Sequence, residues 1–234
     1  MELKVKLFAD GADKNGMFEM YKNPLIQGFT TNPTLMRKAG VEDYKAFAKE
    51  VLEVITDKPI SFEVFSDDFD EMEEQALEIS TWGENVNIKI PITNTRGYSS
   101  ADLIKRLSNK GVKINVTAMF LFEQVEKVTP LLNNGVGGYV SIFAGRIADA
   151  GVDPVPLMKK VVDYLRDYPN VELIWASPRE LYNVVQANEI GCHIITATND
   201  ILKKLPLLGK DLAEFSLDTV KMFYNDAKNA GYSI

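Results

Sequence analysis

Short apolar segments recur along the chain, separated by longer amphipathic stretches. Residues 3–10 (LKVKLFAD), 27–32 (QGFTTN), 60–65 (ISFEVF) and 85–91 (NVNIKIP) have the length and side-chain alternation of strands. Four more such segments follow at 113–119 (KINVTAM), 138–144 (GYVSIFA), 171–177 (VELIWAS) and 193–198 (HIITAT). Between them, apolar residues return at helical spacing, as over 43–55, 67–82, 100–109, 121–132 and 156–166. Ser99 or Ser100 suits the N-cap of the helix that begins there, and Gly111 suits its stop. Strands alternating with helices through the whole chain predict one parallel sheet, and eight repeats predict an α/β fold of the (β/α)8 TIM barrel type. A doubly wound open sheet is the competing arrangement. The barrel is expected over 1–208. The stretch 209–234 reads as one further helix that packs on the barrel or on a neighbouring subunit.

Side chains alternate along a strand, so each segment has one face toward the helices and one toward the barrel interior. The first set is apolar: Val5, Leu7, Phe62, Val64, Val86, Ile88, Ile90, Ile114, Val116, Val140 and Ile142. The opposite set carries Asp10, Thr30, Asn32, Glu63, Lys89, Asn115, Thr117 and Ser141. These residues fall late in their strands, at the end where barrel enzymes build their sites. Each would cost several kcal/mol if buried without a partner. A satisfied polar plug could use the same residues. A set that comes from six strands and carries both signs of charge points instead to a functional site.

Composition narrows the class. The chain has 33 acidic and 26 basic residues, a net charge of −7, and no Lys/Arg block of the kind a nucleic-acid binder shows. No run approaches the ~18 apolar residues of a membrane span, and Met1–Lys6 alternates charged with apolar residues, unlike a signal peptide. Cys192 is the single cysteine, so no intrachain disulfide can form. A soluble, cytoplasmic protein is expected, with neither nucleic acid nor membrane as partner.

Lys89 is the sharpest candidate. It lies within Ile88-Lys89-Ile90-Pro91 and is predicted by the alternation to point inward. Loss of solvation there disfavours the ammonium form and favours the neutral, nucleophilic amine that Schiff-base chemistry on a carbonyl needs. The alternative is a structural ion pair with Glu63 or Asp10. Two carboxylates and a hydroxyl near such an amine also supply the proton-transfer partners of carbinolamine formation and C–C cleavage.

These residues resemble the transaldolase and fructose-6-phosphate aldolase family of class I aldolases. The resemblance is carried by Phe8-Ala9-Asp10, Gly28-Phe29-Thr30-Thr31-Asn32-Pro33, Ile88-Lys89-Ile90-Pro91 and Asn115-Val116-Thr117-Ala118. It continues through Tyr139-Val140-Ser141-Ile142-Phe143-Ala144-Gly145-Arg146-Ile147 and Ala176-Ser177. It implies a barrel in which Lys89 forms the Schiff base and Asp10 is the acid/base at the hydroxyl whose deprotonation starts C–C cleavage. Glu63 and Thr117 would hold the water that shuttles protons around the imine. Asn32, Asn115 and Ser141 would hydrogen-bond a dihydroxyacetone unit, and Arg146 would reach the sugar phosphate. Thr30, Phe143 and Ser177 complete the implied substrate-binding set. No cofactor and no metal is expected, because the imine is itself the electron sink. Phosphorylated sugars are the implied substrates, and a ring-shaped homo-oligomer, pentamer or decamer, the implied assembly. Family aldolases look to have Gln, Ala and Tyr at the positions of Glu63, Ser141 and Phe143, which places this chain on the transaldolase side.

One region departs from the family pattern. Pro178-Arg179 follows Ser177 at once, so the loop looks shortened and Arg179 is only an approximate counterpart of a second phosphate-binding residue. Thr196-Ala197-Thr198-Asn199-Asp200 maps to no role. Of the other features, lone His193 suits strand-end packing better than metal binding. The Asn115-Val116-Thr117 sequon falls in a buried strand, and Gly135-Val136-Gly137-Gly138 precedes a strand, where a dinucleotide fingerprint opens a helix. Asp67-Asp68-Phe69-Asp70-Glu71 reads as a helix start, and Trp82 and Trp175 as core.

Overall fold

The computed structural model describes residues 2–233. Eight parallel strands close into a barrel in sequence order: β1 (Lys6–Asp10), β2 (Ile26–Thr30), β3 (Ile60–Glu63), β4 (Val86–Pro91), β5 (Ile114–Met119), β6 (Gly138–Ile142), β7 (Val171–Trp175) and β8 (Ile194–Thr198). The helices α1 (Lys14–Tyr21), α2 (Pro33–Lys38), α3 (Tyr44–Val54), α4 (Phe69–Ser80) and α5 (Ala101–Asn109) run between the early strands. They are followed by α6 (Phe122–Asn133), α7 (Ala144–Asp149), α8 (Val155–Leu165), α9 (Tyr182–Glu189), α10 (Asn199–Leu202) and α11 (Leu212–Ala230). The closed (β/α)8 barrel excludes the open-sheet alternative.

Short acidic side chains start several helices by satisfying their free N–H groups. Asp13 accepts from Gly16, Asp43 from Ala46, and Asp68 from Asp70 and Glu71, which accounts for the acidic cluster at 67–71. Ser100 occupies the N-cap position of α5 but does not cap it. Its hydroxyl donates to the Pro91 carbonyl at 2.6 Å, tying the helix start to the end of β4.

The outward face of every strand is buried as its alternation requires. Leu7, Phe29, Ile60, Phe62, Ile88, Ile90, Ile114, Val116, Val140 and Ile142 join one apolar layer between barrel and helices. Trp175 is fully buried in it, and Trp82 packs on Phe62 at its edge. His193 accepts a hydrogen bond from the Leu173 amide beside the start of β8. The barrel interior is divided. Phe8, Ile174, Ala176 and Ile194 from β1, β8 and the β7 segment form a small apolar cluster that includes Tyr139 and Phe143 at its margin. Gly28 permits this filling, since a Cβ there would lie 2.5 Å from the Phe8 ring. Strands β2 to β6, with Asp10 at the end of β1 and Thr196 and Thr198 on β8, supply the polar half.

Four strands end two residues earlier than expected; β3 stops at Glu63, and β6 stops at Ile142, ahead of α7. Strand β2 stops at Thr30, and Asn32 becomes the N-cap of α2, accepting from the Leu35 amide at 3.0 Å with Pro33 next to it. Strand β7 stops at Trp175, and Ser177 turns into the left-handed region at φ +60°. After β8, the helix expected in the tail is α11. Asp211 caps it, and it ends on Gly231 at φ +69°. None of its described residues is buried.

Candidate active site

The register of the barrel decides which side chains meet. Glu63, Lys89 and Asn115 are lateral neighbours on β3, β4 and β5. Lys89 is buried, and its Nζ donates to the Thr31 carbonyl at 2.8 Å while lying 3.1 Å from Glu63 Oε2. The ion pair with Glu63 is therefore present, and the one with Asp10 is not among the described residues. Asn115 donates to the Ser61 hydroxyl at 3.1 Å and accepts from Ser141 at 2.7 Å, so both ends of its amide are set by neighbours.

Across the interior, Asp10 Oδ1 accepts from the Thr30 hydroxyl at 2.7 Å, and that hydroxyl lies 2.6 Å from Thr196 Oγ1. Burial pushes the Asp10 carboxyl above the ordinary aspartate range; the positive charge of Lys89 and the Thr30 hydrogen bond oppose this, and the charge of Glu63 adds to it. Thr117 Oγ1 is buried without a hydrogen-bond partner among the described residues. Such a group signals a ligand or solvent position. Next to it, Ala118 is held at φ +59° where the β5–β6 register slips. A non-glycine residue in the left-handed region at a site, here twice with Ser177, is stored backbone strain.

These groups converge on a cavity of about 470 Å³ at the C-terminal mouth of the barrel. Asp10, Glu63, Lys89, Thr117, Thr30, Asn32, Ser141, Phe143, Arg146, Ser177 and Arg179 all line it. Asn115 does not; it lies beneath, fully buried, and holds Ser141. Arg146 is exposed at the rim with its guanidinium 5.3 Å from the Phe143 ring centre. Arg179 reaches the same mouth but is held by Asp149, with Nε 3.1 Å from one carboxylate oxygen and the other oxygen bound to its NH2 group. Among the lining residues outside the expected set are Thr196 and Thr198 on β8, and Lys38 at the end of α2, a cation on the rim opposite Arg146. Thr196 and Thr198 share the inward parity of Ile194, so extending the alternation through β8 finds them. A second cavity of about 470 Å³ opens at the other barrel end, lined by Asn87, Lys113, Tyr139 and Glu172 among others. It lies at the face where barrels keep stability and not chemistry.

An inward lysine paired with a carboxylate, a second carboxyl raised by burial, and two arginines line one cavity. The family model described as Transaldolase/Fructose-6-phosphate aldolase matches residues 7–234. The chain belongs to the transaldolase/fructose-6-phosphate aldolase family. Membership makes it an aldolase-family enzyme. A probable transaldolase of Caldicellulosiruptor saccharolyticus is 37% identical over 204 residues, covering 86% of this chain and 89% of that protein. One from Dehalococcoides mccartyi is 32% identical over 219 residues, covering 92% and 97%. Among solved structures, 2,3-dimethylmalate lyase superposes with a TM-score of 0.57 at 11% identity, covering 98% of this chain and 84% of that one, a likeness of fold alone.

Proposed function

We propose that the protein transfers a dihydroxyacetone unit from a ketose phosphate, such as fructose 6-phosphate or sedoheptulose 7-phosphate, to an aldose phosphate. The observation that carries this reading is the Lys89 amine, buried at the floor of the mouth cavity and shared between the Thr31 carbonyl and Glu63. The amine passes a proton to Glu63 and adds to the ketose carbonyl. The carbinolamine then loses water to give the iminium, with Glu63 and Thr117 holding that water. Asp10 takes the proton of the C4 hydroxyl, the C3–C4 bond breaks, and its electron pair moves into the iminium to leave an enamine on Lys89. The aldehyde departs and a second aldose phosphate re-enters, reversing the steps. Asn32, whose carbonyl oxygen is spent on capping α2, keeps its amide N–H groups for the donor; Ser141 and Thr30 flank it.

Product analysis with fructose 6-phosphate tests the assignment. Transfer predicts little turnover alone and rapid exchange when erythrose 4-phosphate is added. Free dihydroxyacetone formed without acceptor would make the protein an aldolase-type lyase, and no turnover in either case would leave a sugar-phosphate-binding barrel.

Arg146 is the phosphate ligand in this reading. A hydrogen bond to a charged group is worth about 1.5–3 kcal/mol, so Arg146→Ala is expected to raise KM for fructose 6-phosphate roughly 10- to 150-fold and to leave unphosphorylated fructose unaffected. Arg179→Ala should give a smaller rise, because Asp149 already holds that guanidinium. Equal losses on phosphorylated and free sugars in steady-state kinetics would remove the phosphate role.

An assembly is supported by α11, whose Leu212, Val220, Phe223 and Tyr224 are exposed by half or more. This helix is proposed to pack on a neighbouring copy in a ring-shaped homo-oligomer. Light scattering should give a multimer, pentamer or decamer, and removal of 209–234 should reduce its mass toward the single chain.

A further inference from the structure

The ladder between β2 and β3 parts just where the site begins. Phe29 pairs with Ile60 and Thr30 with Ser61, and the Thr31 amide donates to the Ser61 carbonyl at 3.1 Å. One more rung in this parallel register would have the Glu63 amide donate to the Thr31 carbonyl and the amide of residue 33 donate to the Glu63 carbonyl. Neither bond forms. Residue 33 is proline and has no N–H. The Thr31 carbonyl accepts the Lys89 amine instead. The phenol of Tyr44, the first residue of α3, takes both vacated places: it accepts from the Glu63 amide and donates to the Glu63 carbonyl, each at 2.9 Å.

We infer that Tyr44 is a positioning residue for the lysine chemistry: by occupying both backbone groups of Glu63 it keeps the β2–β3 seam parted, leaves the Thr31 carbonyl to Lys89, and fixes the Glu63 carboxylate beside the amine. The inference rests on the reading of Lys89 as the imine-forming residue. Its ring is held edge-on by Phe62 at 6.1 Å and Phe65 at 5.6 Å, with Trp82 at 5.8 Å, so the hydroxyl has one place to point. Burial raises the phenol above the ordinary tyrosine range, so it keeps the proton it donates. Without the hydroxyl, the Glu63 amide is left a buried donor whose register partner is the Thr31 carbonyl, in competition with Lys89.

Tyr44→Phe removes one oxygen and retains the ring. Borohydride trapping of the ketose adduct on Lys89 should slow about 10-fold or more, with kcat falling in step and KM little changed. Amide hydrogen exchange at Glu63 should speed up in the same variant. Trp82→Phe disturbs the packing of the same ring but retains the hydroxyl, so it should lower Tm with trapping within about two-fold of the parent. Trapping by Tyr44→Phe at the parent rate, or equal slowing in both variants, would overturn the inference by reducing Tyr44 to packing. If the unaltered protein forms no adduct on Lys89, the imine reading itself fails. Exchange at Glu63 needs no substrate and still decides whether Tyr44 holds the seam: an unchanged rate refutes it.

Discussion

Lys89→Arg should abolish turnover altogether, and borohydride with a ketose donor should trap a single adduct on Lys89 of the unaltered protein. Both follow from where the amine sits. A guanidinium does not give up its proton at any pH the fold survives, so it cannot supply the lone pair that attacks a carbonyl. Arginine does retain the positive charge opposite Glu63, so the variant separates lost nucleophilicity from lost pairing. Removing the charge, as in Lys89→Met, would leave the Glu63 carboxylate and the Thr31 carbonyl without their buried partner and confound chemistry with stability. Peptide mass spectrometry locates the adduct. An adduct on another lysine, or measurable turnover by Lys89→Arg, would end the Schiff-base mechanism for this chain.

How much of this was legible before the fold was known depends on the residue's place in its strand. Glu63, Lys89, Asn115, Thr117 and Ser141 sit inside runs whose apolar partners face the helices, so period-two alternation alone turns them inward. The choice between Glu63 and Asp10 as the partner of Lys89 was not legible from the alternation. It is made by register, since β3 and β4 are hydrogen-bonded neighbours while β1 lies three strands away. Asn32 was placed in a strand because the apolar pattern runs up to it. The Asn-Pro pair is, however, a helix-start signature, and it wins here because proline cannot extend the ladder. Ser177 was placed in a strand by the same pattern, which does not show that its backbone turns left-handed beside Gly145, where a Cβ would lie 1.6 Å from the Ser177 carbonyl oxygen. Arg179 turned out to share its charge with Asp149, a contact between the loop after β7 and the last residue of α7 that carries no periodic signal.

The apolar cluster around Phe8 gives the polar half its leverage. Water is kept from one side of Asp10 by Phe8 and its neighbours on β1, β7 and β8, while Thr30, Thr196 and the charges of Lys89 and Glu63 meet it from the other. A carboxyl so placed holds its proton more tightly in the folded protein than in the unfolded chain, where 3.8 is the ordinary value. Two consequences can be separated in one variant, Asp10→Asn. The amide retains size and hydrogen bonding but cannot take the C4 hydroxyl proton, so kcat should fall by about 10²–10⁴-fold. Stability should move the other way. Between the ordinary aspartate value and the raised one, folding takes up a proton, so this group's contribution declines as pH rises through that window and its full cost is present above it. Asparagine carries no such charge. Asp10→Asn should therefore melt at a higher temperature than the parent at neutral pH, and the difference should shrink as pH falls toward the ordinary aspartate range, where both side chains are neutral. Thermal melts at three or four pH values, read beside kcat, check both. A kcat within a few-fold of the parent would reduce Asp10 to a structural residue. A lower Tm at neutral pH would mean that attraction to Lys89 outweighs the burial of the carboxylate, and the base would then be an ordinary aspartate held by its partner.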